Sequence, residues 1–157
     1  MQQSNAFKIL RILHTALLTS MVIFNIVGII LVQNNIVPAS GENLERILQV
    51  VCILVSGVML LAGFNIFKKK MIAARNHTGP GEQRMGLYQA ACILWWAMIE
   101  GPGLLATVGY MLTHNFAFFA LAVFHLAVLF VFSPRKANVV VLLSLTNEEV
   151  SRLEGKS

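Results

Sequence analysis

The chain has 157 residues, of which 57% are hydrophobic and only 12% are charged. Soluble domains carry about 25% charged residues, so this composition excludes an ordinary water-soluble domain and is typical of a membrane protein. The net charge of +5 does not indicate a nucleic-acid partner, because no basic face with interleaved aromatic residues accompanies it.

Four apolar stretches, here called spans one to four, are long enough or nearly long enough to cross a bilayer as helices, for which about 20 residues are needed. They lie at about 12–32, 47–67, 87–112 and 116–133. The fourth is slightly short, and Pro134 is expected to end it. The brief turn at 113–115 makes spans three and four an antiparallel hairpin. The sequence therefore predicts an all-α integral membrane protein, with four transmembrane helices in an antiparallel bundle over 1–136 and a short amphipathic tail over 137–157.

Lys and Arg residues are distributed unevenly along this predicted bundle. With four crossings, eleven of the twelve fall in the terminal segments or in a long basic loop predicted at 68–86, and only Arg46 falls on the other side. Cytoplasmic segments of membrane proteins carry the excess of Lys and Arg. We therefore expect both termini in the cytoplasm, in a multi-pass protein of the bacterial inner membrane. The run Lys68, Lys69 and Lys70 would also attract anionic lipid at the membrane surface.

The first apolar stretch also fits a second interpretation. Lys8 and Arg11, followed by an apolar run and then by Val37-Pro38-Ala39, match the layout of a secretory signal peptide. Cleavage would leave three spans and an external N-terminus. The apolar run is longer than the usual core of about 7–15 residues in such a peptide, which favours a first membrane span.

Glu100 is the residue within the spans that most needs an explanation, because a carboxylate at bilayer depth is costly and is usually paired, protonated or functional. At about 1.5 Å per residue, Glu100 and Asn25 both lie about 20 Å along their spans, and His125 lies within about 4 Å of the depth of Glu100. We therefore predict that Glu100 meets His125 or Asn25. Such a contact would form either a proton- or ion-binding site or a neutral hydrogen-bonded pair that joins two helices.

Gly101, Pro102 and Gly103 follow the acid directly. A proline inside a helix removes one backbone hydrogen bond and clashes with the carbonyl four residues earlier, here that of Met98. The sequence therefore predicts a kink at this point. Two consequences stay open: a purely structural kink of the kind that membrane helices tolerate, or local unwinding of the kind that builds ion sites in transporters.

The other polar and small residues of the spans recur at helical spacing, as expected for helices that pack on one another in lipid. Cys52 and Cys92 fall inside apolar stretches and are interpreted as small buried hydrophobes. His14 and His125 lie at different depths and so do not match a haem pair. No phosphate loop, catalytic triad or zinc spacing appears. We therefore predict no enzyme, no cofactor and no metal site.

The tail combines an apolar segment at 139–145 with a helix-start signal. Thr146 followed three residues later by Glu149 is the pattern of a capping box, which predicts a short helix beginning there. We expect the apolar segment to lie on the membrane surface. Packing against the basic loop and docking of a partner are the alternatives.

The third span reads Cys92-Ile93-Leu94-Trp95-Trp96-Ala97-Met98-Ile99-Glu100, and it continues from Leu104 to Tyr110. With span two and the basic loop, over residues 46–112, it resembles in part the carboxylate hairpin of the proteolipid (c-type) subunits of rotary ATP synthases. That resemblance implies that Glu100 carries the translocated ion and that hairpins assemble into a ring. Span two departs from the family's glycine-rich helix, since it offers only Gly57 and Gly63.

Two classes of function follow from these residues. The first is a structural or accessory subunit of a membrane assembly, which has the lipid bilayer around it and packs as a homo-oligomer or within a larger complex. The second is a proton- or cation-linked transport element that uses Glu100 with His125 or Asn25. The chain is short for a transporter, so the second function would require an oligomer or a partner.

Overall fold

The computed structural model describes residues 5–155, so Lys156 of the predicted basic side lies outside the described residues. Within this range every regular element is an α-helix, which confirms the predicted class. The helices are α1 (Ala6–Gln33), α2 (Glu42–Arg75), α3 (Gly81–Thr113), α4 (Phe116–Val131), α5 (Lys136–Leu142) and α6 (Asn147–Leu153).

Three of the described helices, α1, α2 and α3, are each long and apolar enough to cross a membrane. Helix α4 has 16 residues, and it meets the same criterion only together with α5, from which it is bent by 66°. The bend follows Val131, slightly before the predicted end at 133, where the N–H of Ser133 bonds back to the carbonyl of Phe130 and Pro134 follows. The sequence predicted four spans; the described residues contain three helices that are long and apolar enough to cross a membrane, or four if the bent pair is one span.

The long basic loop predicted at 68–86 is wrong. Helix α2 continues through the lysine run to Arg75, and α3 already begins at Gly81. Lysine and arginine are good helix formers, and the extra turns bury Ala74 and Met85 in the core. The connection between the two helices is therefore only a few residues long.

Helix α3 is the centre of the molecule, since α1, α2 and α4 all pack on it. Half of its apolar window is buried, against 17% for α1 and for α2. Glycines bring the neighbouring helices close: an added Cβ would lie 2.9 Å from the Trp95 ring at Gly63 and 2.6 Å from the Phe118 ring at Gly109. Small residues thus serve helix packing, as the sequence pattern indicates.

One end of the bundle, here called the basic end, is closed by the tail. Helices α5 and α6 fold across the starts of α1 and α3, and Arg84 of α3 binds the Glu149 carboxylate and the Leu143 carbonyl, each at 2.6 Å. The capping box between Thr146 and Glu149 is present, as predicted. The expectation that 139–145 lies on the membrane surface is wrong for Val139, Leu143 and Leu145, whose side chains are buried against protein.

The opposite end, here called the turn end, is held by contacts between its two connections. The N–H of Ser40 donates to the Leu112 carbonyl at 2.8 Å. Asn115 donates through its side-chain amide to Glu45 at 2.6 Å. Helices α1 and α3 run in the same direction between the two ends, so their residues can be compared level by level.

Candidate functional site

Glu100 lies at the outer edge of the contact between α1 and α3. Its side chain is partly exposed, and its Oε1 accepts a hydrogen bond of 3.0 Å from the exposed hydroxyl of Ser20. That hydroxyl also lies 3.0 Å from the Leu17 carbonyl, so a single hydroxyl hydrogen serves two acceptors. In the described part of the chain the carboxylate therefore has one weak donor, and one side of it is open.

His125 does not meet Glu100, and the predicted contact between them is wrong. The imidazole is completely buried, and it lies beside Gly103, where an added Cβ would be 3.0 Å from the His125 Cβ. Among residues 5–155 neither ring nitrogen has a hydrogen-bonding partner. Successive residues of a helix are about 100° apart, so the buried Ile99 and Gly103 face the core while Glu100 turns towards the edge of α1.

Asn25 does not meet Glu100 either, and that expectation is also wrong. Its amide nitrogen donates to the Met21 carbonyl at 2.8 Å, and its Oδ1 accepts from the Thr107 hydroxyl at 3.1 Å. This buried bond joins α1 to α3 inside the bundle. Gly28 lies beside it, with an added Cβ only 3.0 Å from the Thr107 Cγ2.

Asn25 and Glu100 are equally far along their predicted spans but lie at different levels, because the two spans do not start at the same level. Gln89 of α3 donates to the carbonyl of Ala6 at 3.0 Å, so the start of α1 is level with the third turn of α3. Counting from Ile12 and Leu87 therefore placed Asn25 too low relative to Glu100. Ser20 is the residue of α1 that lies at the level of the acid, and a count from Ala6 and Gln89 would have come close to it.

Pro102 does not unwind α3. The helix is continuous from Gly81 to Thr113, with Pro102 buried inside it. Gly103 is used for close packing, because an added Cβ would fall on the Met21 methyl group. Gly101 faces outwards, where an added Cβ would meet no described atom within 4 Å. The sequence left two consequences open, a structural kink and local unwinding, and the continuous helix from Gly81 to Thr113 excludes unwinding at Pro102.

The surface around Glu100 differs from the rest of the apolar exterior. We call it the Glu100 face and define it as Ser20, Ala90, Ala97, Glu100 and Gly101, all of which are exposed or partly exposed. Much of the exposed surface of α1, α2 and α4 consists of large residues, as at Leu61 with 72% and Val131 with 75% of the residue accessible, although Ala16 and Gly57 are exposed there as well. What distinguishes the Glu100 face is the carboxylate and hydroxyl pair beside small residues; the large Ile93, 45% exposed, lies between Ala90 and Ala97.

His14 has a different role from His125. Its Nε2 lies 2.9 Å from the Leu129 carbonyl, and a carbonyl can only accept, so Nε2 carries the hydrogen. The ring packs edge-on to Trp96 at 4.9 Å. His14 therefore caps the end of α4 before Pro134 and joins it to α1.

Two further predicted groups lie away from the Glu100 face. Lys68, Lys69 and Lys70 form an exposed turn near the end of α2. Cys52 and Cys92 are buried and free. Among the described residues, no group of three or more His, Cys, Asp or Glu side chains could hold a metal ion.

Comparisons of the chain with models of protein families, with curated proteins and with solved structures found no match. The partial resemblance to proteolipid subunits stays a prediction that rests on residues 46–112.

Proposed function

We propose that this chain is a multi-pass protein of a bacterial cytoplasmic membrane, with four crossings and both termini in the cytoplasm, and that it is a structural or accessory subunit of a membrane assembly. The observation that carries the proposal is the Glu100 face. A carboxylate lies there close to the small residues Ala97 and Gly101 on an open helix surface, and both features are typical of helix contacts in lipid.

The distribution of charge supports the topology. Lys68, Lys69, Lys70, Arg135 and Lys136 lie at the basic end, and within residues 5–155 Arg46 is the single Lys or Arg near the turn end. Such a bias favours the basic end as the cytoplasmic one. Helix α4 and the bend after Val131 supply the fourth crossing, because they return the chain to that end.

The chemistry of the Glu100 face supports an assembly. Lipid tails offer no hydrogen bonds, so a polar group exposed to them is costly. A neighbouring helix could approach Ala97 and Gly101 closely and supply the donor that Glu100 lacks. We propose a second copy of the chain as this neighbour, because the face carries both a hydroxyl donor and a carboxylate acceptor and can therefore complement itself.

Cysteine cross-linking in native membranes tests the assembly. In a background without Cys52 and Cys92, Ala97→Cys places a thiol on the Glu100 face. Leu61→Cys is the matched control, since it lies on the lipid-facing side of α2 at a similar level, close to where Gly63 meets Trp95 and Met98. We expect a disulfide-linked dimer for Ala97→Cys alone; equal cross-linking of the two variants, or none, would overturn the proposal.

A second function, a proton- or cation-linked transport element, is favoured by one observation: the Glu100 carboxylate is partly exposed and could exchange a proton at a contact between subunits. In this version Ser20 is the assisting group, in place of His125 or Asn25. Proton flux in liposomes separates the two functions. Glu100→Gln that assembles normally but loses flux supports transport, whereas absence of flux in the unsubstituted protein excludes it.

A further inference from the structure

A cationic pocket lies at the basic end between α1 and the start of α5, outside the Glu100 face. It has a volume of about 570 Å³, and its wall includes Lys8, Arg11 and Lys136 together with Phe7, Ile12 and Pro134. A pocket of this size is in the range of about 300–1,000 Å³ that is typical of small-molecule sites. It lies where the first charged turn of α1 meets its apolar stretch, at the level expected for lipid headgroups.

The charge in this pocket is mainly positive and largely uncompensated. Lys136 pairs with Glu154, which also lines the pocket, and its ammonium group lies 5.9 Å from the centre of the Phe7 ring. Among residues 5–155, neither Lys8 nor Arg11 forms an ion pair. Both side chains are exposed and can reach a ligand in the pocket.

An open groove continues from this pocket along the outer side of α1. It has a volume of about 600 Å³ and shares Arg11 and Ile12 with the pocket before it passes Ala16 and Thr19 to Ile23. From Ile12 to Ile23 the helix rises about 16 Å, which is close to half of the hydrocarbon thickness of about 30 Å. The groove thus has the length of one leaflet and is mainly apolar.

We infer that the pocket and the groove together bind one anionic phospholipid. Its phosphate group lies between Lys8 and Arg11, and one acyl chain follows the groove along α1. Basic pockets at the cytoplasmic end of membrane helices recognise such headgroups. The continuous apolar groove favours a lipid over a soluble phosphate, because a free phosphate ion would leave the groove unused.

The inference rests on the proposed membrane insertion but not on the proposed assembly. The groove lies on the outward side of α1 and touches the Glu100 face only at Ser20. A lipid bound there would therefore lie next to a neighbouring subunit and leave the face open. The effects of the two sites can be measured separately.

Native mass spectrometry of the full chain in detergent tests the headgroup part. The probes are phosphatidylglycerol and phosphatidylcholine with the same acyl chains. The double variant Lys8→Gln/Arg11→Gln should bind phosphatidylglycerol about 30-fold more weakly. Each basic residue near a headgroup strengthens binding about fivefold, and the two factors multiply. The control Lys69→Gln/Lys70→Gln removes the same charge from the end of α2 and should retain binding.

Three results would overturn the inference. They are equal affinity for the two lipids, equal loss in the two double variants, and displacement of phosphatidylglycerol by inorganic phosphate at millimolar concentration. The last would identify a soluble phosphate site. Ala16→Trp tests the groove, because it should weaken lipid binding several-fold while Ile53→Trp, on the exposed side of α2, should not; equal effects of these two variants would exclude the acyl part.

The same double variant, tested by cross-linking, distinguishes the lipid site from the proposed assembly. Lys8→Gln/Arg11→Gln should still form the Ala97→Cys dimer, because neither basic residue lies on the Glu100 face. Loss of lipid with retained cross-linking supports a separate lipid site. Retained lipid binding in a chain that does not cross-link would contradict the proposed assembly and would still support the lipid site.

Discussion

Among residues 5–155, two hydrogen bonds between side chains join α1 to α3, and they differ in their burial. In each a hydroxyl donates to a side-chain oxygen, Thr107 to Asn25 at 3.1 Å and Ser20 to Glu100 at 3.0 Å. The first is buried and the second is at the surface. A polar residue in a membrane helix is therefore directed to its role by its rotation about the helix axis as much as by its depth.

The two contacts also differ in how completely they are satisfied. The Asn25 amide uses both its donor and its acceptor inside the protein. Both hydroxyl donors are shared with a carbonyl of their own helix, that of Gly103 for Thr107 and that of Leu17 for Ser20. Among residues 5–155, however, the two oxygens of the Glu100 carboxylate have only the Ser20 hydroxyl as a donor. We expect the inner contact to stabilise the fold and the outer one to contribute to association, and variants of each can break this distinction.

The largest loss of stability is expected at the basic end, where the Arg84–Glu149 ion pair holds the tail. This ion pair is the reference with which the inner and outer contacts are compared. Arg84→Met removes the partner of Glu149 and the donor to two tail carbonyls. Loss of one member of a mostly buried ion pair should weaken docking of the tail by about 2–3 kcal/mol. Hydrogen exchange of the amides in α6 measures it. Arg75→Met, an exposed residue of α2, is the control, and equal protection in the two variants would contradict the expectation.

The same reference contact should depend on pH. The backbone N–H of Thr146, and then Arg84, hold the pKa of Glu149 below its usual value. A carboxyl whose pKa is lowered in the folded state adds stability above its unfolded pKa of about 4.3, and this stability is lost as the pH falls through the lower folded value. Docking of the tail should therefore weaken in acid. Glu149→Gln should flatten this dependence, and an unchanged acid transition in that variant would assign it to another group.

Gly28→Leu should break the inner contact with the next largest effect. A Cβ at this position would lie 3.0 Å from Thr107 and 3.1 Å from the Met111 methyl group, so α1 must move away from α3. Overpacking of this kind costs about 1–3 kcal/mol. Thermal unfolding in detergent measures it. Gly57→Leu is the control because an added Cβ there meets no described atom within 4 Å; equal melting of both variants would show that the close approach is unimportant.

Thr107→Val should have a smaller effect on the inner contact. The change keeps the shape of the side chain but leaves the Asn25 oxygen without its donor. Hydrogen bonds between membrane helices are worth about 0.6 kcal/mol on average and up to about 1.7 kcal/mol, so a loss in that range is expected in the same unfolding assay. Thr19→Val, on the exposed side of α1, should be silent; a larger loss there than at Thr107 would reverse the comparison.

Glu100→Gln should change stability least, by less than the roughly 0.6 kcal/mol of an average hydrogen bond between membrane helices, because the amide can still accept from Ser20. It should nevertheless reduce the Ala97→Cys cross-link severalfold, since the acceptor at the Glu100 face is weakened. This division between stability and association sharpens the contrast with Thr107→Val. A marked loss of stability with normal cross-linking would assign Glu100 to the fold instead.

The sequence predicted the local features of this fold well. Apolar length located the spans, and the spacing of Thr146 and Glu149 located a capped helix, because both depend on neighbours in the chain. It did not predict which residue faces Glu100. That contact depends on the relative level of α1 and α3. Long-range contacts such as that of Gln89 with Ala6 set this level, and α3 starts earlier than the sequence predicted.

The sequence pattern also did not predict which side of α3 carries Glu100. The small residues Ala97 and Gly103 lie three positions before and three positions after Glu100. Ala97 is exposed, whereas Gly103 is buried against Met21. Spacing alone assigns a residue to a stripe about a third of the helix wide. The choice between core and edge within that stripe depends on where α1 and α4 meet α3, and no local signal encodes it.

The closing of the basic end by the tail also sets an order of assembly. The Asn5 amide lies 3.4 Å from the Glu154 carbonyl, so the two partners of this contact are made far apart in time. Chains are made at about 5–20 residues per second, and the opening turn of α1 therefore stays without this partner for roughly 7–30 s. The final layer of the core at this end can form only after α6 has been made, whereas the contacts at the turn end can form earlier.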